Sequence, residues 1–226
     1  MQDTLEPALA QIAGAPVGTT CAGRTDRGVH ARSQVVHFDT DTQRPASAWV
    51  RGVNSHLPDS LAVLWAHEVG SEFHARYSAR SRTYVYRLLN RTVRPALDAQ
   101  YIGWFHLPLD VEAMRAAAAL FVGERDFSAF RSSECQAKSP VRTIFQLDIS
   151  KAAETICFVI RANAFLHHMV RNIVGTLVYV GKGKHPPAWV NEVLLSKNRG
   201  NAAPTFGPEG LYLDKVEYEA HWGLPK

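Results

Sequence analysis

AGRTDRGVHA, residues 22–31, places one carboxylate among cations. Across residues 21–32 Asp26 is the sole acid, flanked by Arg24, Arg27, His30 and Arg32. Nearby positive charge favours the ionised form of such a carboxylate. An ionised carboxylate beside a basic groove is suited to attack on a substrate delivered by an anionic backbone. Gly23 and Gly28 lie on either side and allow a tight turn that exposes the side chain. The same residues also fit a plain turn, in which Asp26 caps backbone amides and neutralises its arginines.

Outward from this stretch, the pattern predicts strands at 34–38, 61–67, 83–89, 143–149, 156–162 and 211–218. Helices are predicted at 3–13, 110–122, 164–180 and 187–198. In the first, Asp3 and Glu6 have capping-box spacing, and Pro7 fits only near the first turn. Asp110 is placed to cap the second and Gly123 to end it. Strands interspersed with a few long helices indicate an α+β architecture rather than regular βαβ repeats.

Basicity is local. From Arg76 to Arg94 there are six arginines and no acid, around Arg82-Thr83-Tyr84-Val85-Tyr86-Arg87. On a strand, Arg82, Tyr84 and Tyr86 share one face. Arginine beside aromatic rings can bind phosphates and stack extruded bases. From this segment alone a solvated edge strand with half-buried tyrosines is the plainer reading, and the all-arginine bias leans toward phosphate contact. On a helix over 164–180, Ala164, His168, Arg171 and Gly175 form a narrow strip of small and polar residues beside an apolar face. From that strip Arg171 can reach a partner in a groove, or simply extend to solvent.

The bulk numbers set outer bounds. A chain of 226 residues, 46% hydrophobic, 20% charged and of formal charge +4, is an ordinary globular composition with a modest surplus of base. Cys21, Cys135 and Cys157 form no C-x-x-C pair, which argues against a zinc ribbon or disulfide framework. Neither a bilayer-length apolar run nor a signal-peptide pattern is present, so a cytoplasmic protein is expected. The adjacent His167 and His168 lack H-E-x-x-H spacing and a third ligand nearby in sequence, so no metal is expected. A glycosidase would need two positioned carboxylates, and Asp39 and Asp41 have no signature for that role.

The stretch around Asp26 closely resembles the signature of the bacterial TruA-type tRNA pseudouridine synthases. The likeness continues in family order through QVVHF (34–38), GVNSHLP (52–58), FHARYSARSRTYVY (73–86) and GERDFSAF (123–130). It extends to Arg142-Thr143-Ile144, ANAFLHHMVRNIVG (162–175) and EGLYL (209–213). The resemblance implies that Asp26 is the catalytic nucleophile, attacking either the ribose or the uracil. It implies that Tyr84 stacks on the target base and is a candidate for proton transfer, and that Arg171 pairs with the aspartate. Leu211 or Leu213 would pack beside the base, and Arg24 would help hold the flipped nucleotide. Arg27 departs from the small residue many relatives carry and would add positive potential. Arg27, His30, Arg82, Tyr86 and His168 complete the expected substrate contacts.

By the same resemblance, the substrate is uridine 38–40 in the anticodon stem-loop of tRNA, with no cofactor, and the protein is a homodimer. The fold implied is that of the pseudouridine synthases: two related α+β halves with mainly antiparallel sheets and a cleft between them. Residues 1–77 would form the half carrying Asp26 and residues 78–226 the other. Such proteins ordinarily open with a strand and a glycine-rich turn before the helix that starts here at Gln2, so that strand is expected to be missing. The competing expectation is a non-catalytic or impaired tRNA-binding protein.

Overall fold

In a computed structural model, which describes residues 1–225, the chain is α+β and divides into two compact units. One comprises residues 1–24, 35–80 and 218–226, the other residues 25–34 and 81–217. This division departs from a cut near residue 77, because the segment carrying Asp26 joins the second unit. The reason is backbone pairing. Strand β2 (His30–Ala31) runs parallel to β9 (Leu211–Glu217), with His30 opposite Tyr212 and Ala31 opposite Leu213.

In the first unit, helix α1 (Gln2–Ala13) buries Leu5, Ala8, Leu9 and Ala13 against Val17, Trp49 and Val53. The predicted capping box is absent: Met1 is the N-cap and no side chain caps it. Glu6 instead accepts from the Thr19 amide (2.7 Å) and hydroxyl (3.0 Å), tying the helix to the chain that follows. α1 also continues through Pro7, beyond the first turn expected for it. Strands β1 (Thr20–Cys21) and β3 (Val36–His37) form a two-stranded antiparallel ladder. The strand predicted at 61–67 is irregular chain without a ladder among the described residues. There Val63 gives its amide to Asn54 Oδ1 (2.7 Å) and its carbonyl accepts from Asn54 Nδ2 (2.8 Å), so a side-chain amide takes the place of a strand edge.

The second unit is built on a seven-stranded, mainly antiparallel sheet. Its ladder runs from β2 through β9, β4 (Ser81–Asn90), β8 (Thr155–Ala162) and β7 (Val141–Ala152) to β6 (Gly123–Asp126). β5 (Gly103–Phe105) adds to β4 in parallel. Helix α2 (Val111–Ala119) starts where Asp110 accepts the Ala113 amide at 3.0 Å, as its sequence predicts. It packs on β7 and on α3 (Met169–Gly181). α3 is buried almost all round, with Met169 and Ile173 wholly enclosed; α4 (Trp189–Ser196) follows it. α3 begins five residues later than the apolar spacing suggests, because His168 adopts a left-handed backbone (φ 63°) that ends the preceding loop. Cys21, Cys135 and Cys157 are free thiols.

Candidate active site

Asp26 opens a β-turn: its carbonyl accepts the Val29 amide at 3.0 Å, and Gly28 takes the left-handed conformation (φ 82°). Only Gly28, not Gly23, uses glycine's freedom here. β2 follows at once and is held by β9, so the turn is anchored to the sheet one residue after Val29. The Asp26 carboxylate is about one-fifth exposed (21%), enough to be reached by a substrate.

The sequence neighbours of Asp26 are not its partners. Arg24 and Arg27 are exposed, Arg24 within the first unit. Arg32 pairs with Asp214 (3.3 Å) and lies over the Tyr212 ring. His30, partly exposed, lies against the rings of Tyr101 and Tyr212, with Nε2 2.8 Å from the Gln100 carbonyl.

The carboxylate is held instead by the start of α3. Arg171 Nη1 donates to Asp26 Oδ2 at 3.0 Å, while its Nε donates to the Phe206 carbonyl at 2.8 Å. His168 Nε2 lies 3.3 Å from Oδ2 and His167 Nε2 3.2 Å from Oδ1. Burial first, then repulsion from the Arg171 guanidinium and the adjoining His167, holds the His168 imidazole below its ordinary range against the pull of Asp26. A neutral His168 donates one N–H and adds no second full positive charge beside Arg171. The left-handed backbone of His168 sets this loop, a sparsely used conformation of the kind that gathers at functional sites.

In the same sheet β4, paired with β9, contributes an aromatic face. Tyr84 lies opposite Leu213 on β9 and Ile160 on β8, with Phe165 meeting its ring edge-on at 5.0 Å. Tyr86 is wholly buried and its hydroxyl donates to the Gly207 carbonyl at 2.9 Å; burial pushes that phenol far above its usual range. It belongs to the core, which corrects its reading as a substrate contact. Arg82 is likewise buried, donating to the Asn163 carbonyl at 2.9 Å, so it braces the loop before α3 instead of meeting solvent. Leu211 and Leu213 are both buried under the same face.

A family model described as tRNA pseudouridine synthase matches residues 1–78 and 117–219. The chain belongs to the tRNA pseudouridine synthase family. It is 56% identical over 225 residues to the tRNA pseudouridine synthase A of Dechloromonas aromatica, spanning 100% of this chain and 86% of that protein. With the enzyme of the same name from Nitrosomonas eutropha it shares 54% over 225 residues, 100% of this chain and 81% of that one. For the Bordetella parapertussis enzyme the figures are 57% over 226 residues, 99% and 84%.

In this pseudouridine synthase His167 is a partner of Asp26, whereas the sequence shows it only as a metal-ligand candidate without a third donor nearby. The fold supplies that third donor: ligand atoms of Asp26, His167 and His168 all lie within 4.8 Å of one another. The Arg171 guanidinium on the same carboxylate opposes a divalent cation there. No helix among the described residues is long and apolar enough to cross a membrane.

Proposed function

We propose that this chain isomerises uridine to pseudouridine in tRNA with Asp26 as nucleophile, at uridines 38–40 of the anticodon stem-loop. The observation that carries the reading is the pairing of Asp26 with Arg171, 145 residues apart, at 3.0 Å in a partly exposed cluster. The family membership supports the reaction, and the resemblance of the signature supports the roles, the position of the target and a homodimeric enzyme.

The reaction breaks the N1–C1′ bond of uridine, turns the uracil, and forms a C5–C1′ bond. The hydrogen on C5 leaves and N1 takes up a proton, so the formula is unchanged. Neither an oxidant nor a hydrolytic water is consumed, and the chemistry calls for no cofactor. Asp26 adds to the ribose or to the uracil, and its bond to that partner is broken again before product leaves. Arg171 and the two histidines fix the carboxylate's orientation in advance, so little reorganisation is needed at the moment of attack. Tyr84, flanked in the sheet by Leu213 and Ile160, is the residue that the resemblance assigns to stack on the base and the candidate for proton transfer. Because a base inside a stem is unreachable, the nucleotide must be extruded, which costs a few kcal/mol. Phosphate contacts from exposed arginines such as Arg24 and Arg27 offset part of that cost.

Asp26→Asn keeps the shape of the side chain and removes its nucleophilicity. Pseudouridine formation on an unmodified tRNA transcript is expected to fall by roughly 10³-fold or more, with tRNA affinity nearly unchanged. Near-normal product from this variant would sink the assignment of Asp26. A wild-type chain that binds tRNA and yields no product would instead establish a binding-only protein.

A further inference from the structure

Beside the Asp26 cluster the second unit carries an open cleft of about 680 Å³ that His168 helps to line. Three cations line it, Arg131, Lys197 and Arg199, together with the hydroxyls of Ser128, Ser132 and Thr205. Its charge is only partly balanced. Lys197 pairs with Asp126 at 3.1 Å, and Asp126 also accepts from the Ser128 hydroxyl and amide. Arg131 donates to the Cys135 carbonyl at 2.8 Å. Arg199 donates to Asn172 Oδ1 (3.1 Å), Thr205 Oγ1 (3.0 Å) and the Ala202 carbonyl (3.4 Å). Among the described residues, then, both arginines meet neutral acceptors alone.

The way Arg199 is held is informative. Asn172 is wholly buried on α3; it gives its amide to the Phe130 carbonyl at 2.8 Å and accepts from both Arg199 and Thr205. A buried polar network thus fixes one guanidinium in the wall of the cleft. Withdrawing such a charge from water is costly unless a counter-charge arrives. Burial accordingly holds the Arg199 guanidinium below its ordinary range. The Ser128 and Thr205 hydroxyls already donate to Asp126 and Asn172, so it is the cations without a full counter-charge, beside Ser132, that describe a receptor for a phosphate group.

The cavity is joined to the reacting centre by its own walls. His168 lines it and touches Asp26, and the Ser132 amide donates to the His167 carbonyl at 2.9 Å. A phosphate seated there lies one side chain away from the nucleophile. We infer that the pocket of Arg131, Lys197 and Arg199 binds a backbone phosphate of the substrate RNA next to the extruded uridine. This rests on the activity proposed above. The pocket's task is to grip the strand, and the chemistry stays with Asp26.

The test uses the full chain with Arg131→Gln, Lys197→Gln and the double variant; Arg199 is left intact because Asn172 depends on it. Lys151→Gln, an exposed lysine of β7, is the control. Pseudouridine formation on an unmodified tRNA transcript and direct tRNA binding are measured across a potassium chloride series. Each pocket variant is expected to raise KM and Kd about fivefold to tenfold, leave kcat within about twofold, and lower the salt slope of log Kd by roughly 0.7–0.9. The control should match wild type. Unchanged KM, Kd and slope would overturn the pocket, as would a fall in kcat at constant KM. Inorganic phosphate is the second probe. Thermal stabilisation by phosphate that the double variant loses, with an unchanged tRNA salt slope, marks a free-anion site and overturns the RNA assignment. Wild type inactive on tRNA, with the slope still reduced in the variants, would refute the proposed activity and leave the pocket standing.

Discussion

Arg171 divides its guanidinium between two acceptors, Nη1 to Asp26 and Nε to the Phe206 carbonyl. A planar fork can serve both at once, whereas the single ammonium of lysine reaches one or the other. Arg171→Lys is therefore expected to lower kcat by about 10²–10³-fold, the usual cost of losing one preorganised donor at a reacting centre. KM on tRNA should move little, which steady-state kinetics will check; a variant with wild-type kcat would remove Arg171 from the reacting centre. How far this pair was legible is instructive. Within the signature Asp26 stands out by charge, but its sequence neighbours Arg32 and His30 are engaged with Asp214 and with aromatic rings. Local charge pattern says that a carboxylate will find cations; it cannot say which, because the choice is made by the β2–β9 pairing. His167 was hidden for the same reason, and Tyr86 was misread because alternation on a strand gives the face without its burial.

At the scale of the element, α3 shows what helical spacing conveys and what it omits. The small and polar strip predicted for it exists at Arg171 and Gly175, yet it does not face an open groove. The Phe206 amide donates to the Arg171 carbonyl, and the Pro204 carbonyl lies so near Gly175 that an added Cβ would sit 2.3 Å from it. The 204–206 segment thus lies directly along the strip. Gly175→Ala must push that backbone away, and overpacking of this kind costs typically 1–3 kcal/mol. Because Phe206 also accepts from Arg171, the shift should disturb the carboxylate pair: denaturant unfolding should show the stability loss, and kcat should fall with it. An alanine variant with wild-type stability and kcat would mean that the strip is loosely packed. The first turns predicted for this helix, 164–168, are loop, since apolar periodicity carries no signal of the positive φ at His168.

For the whole molecule, the sheet of the second unit was readable because its long strands alternate strongly, as in Thr155–Ala162, where every second residue is buried. The first unit was less so: 61–67 alternates equally well but pairs with a side-chain amide, and alternation cannot reveal whether a partner strand exists. The two units do share a pH signature. In the first, burial and then the nearby His74 hold the His37 imidazole below its ordinary value of 6.5, and its Nδ1 accepts the Ala75 amide at 3.1 Å, which requires the neutral ring. In the second, burial does the same for His168. Above about pH 6.5 both histidines are neutral folded or unfolded, and stability is at its full value. As pH falls below that, the unfolded chain takes up protons that the native state resists, so stability declines. Carboxylates follow at lower pH. The Ser81 hydroxyl and Lys215 keep Glu217 below its ordinary 4.5, so its contribution is present above that value and lost as pH falls through the folded one. Denaturant midpoints measured from about pH 8 to about pH 2 should therefore fall in two stages, the first beginning near pH 6.5 and the second below about pH 4.5. His37→Gln together with His168→Gln should flatten the first stage and leave the second; an unchanged first stage in that double variant would assign it to other groups.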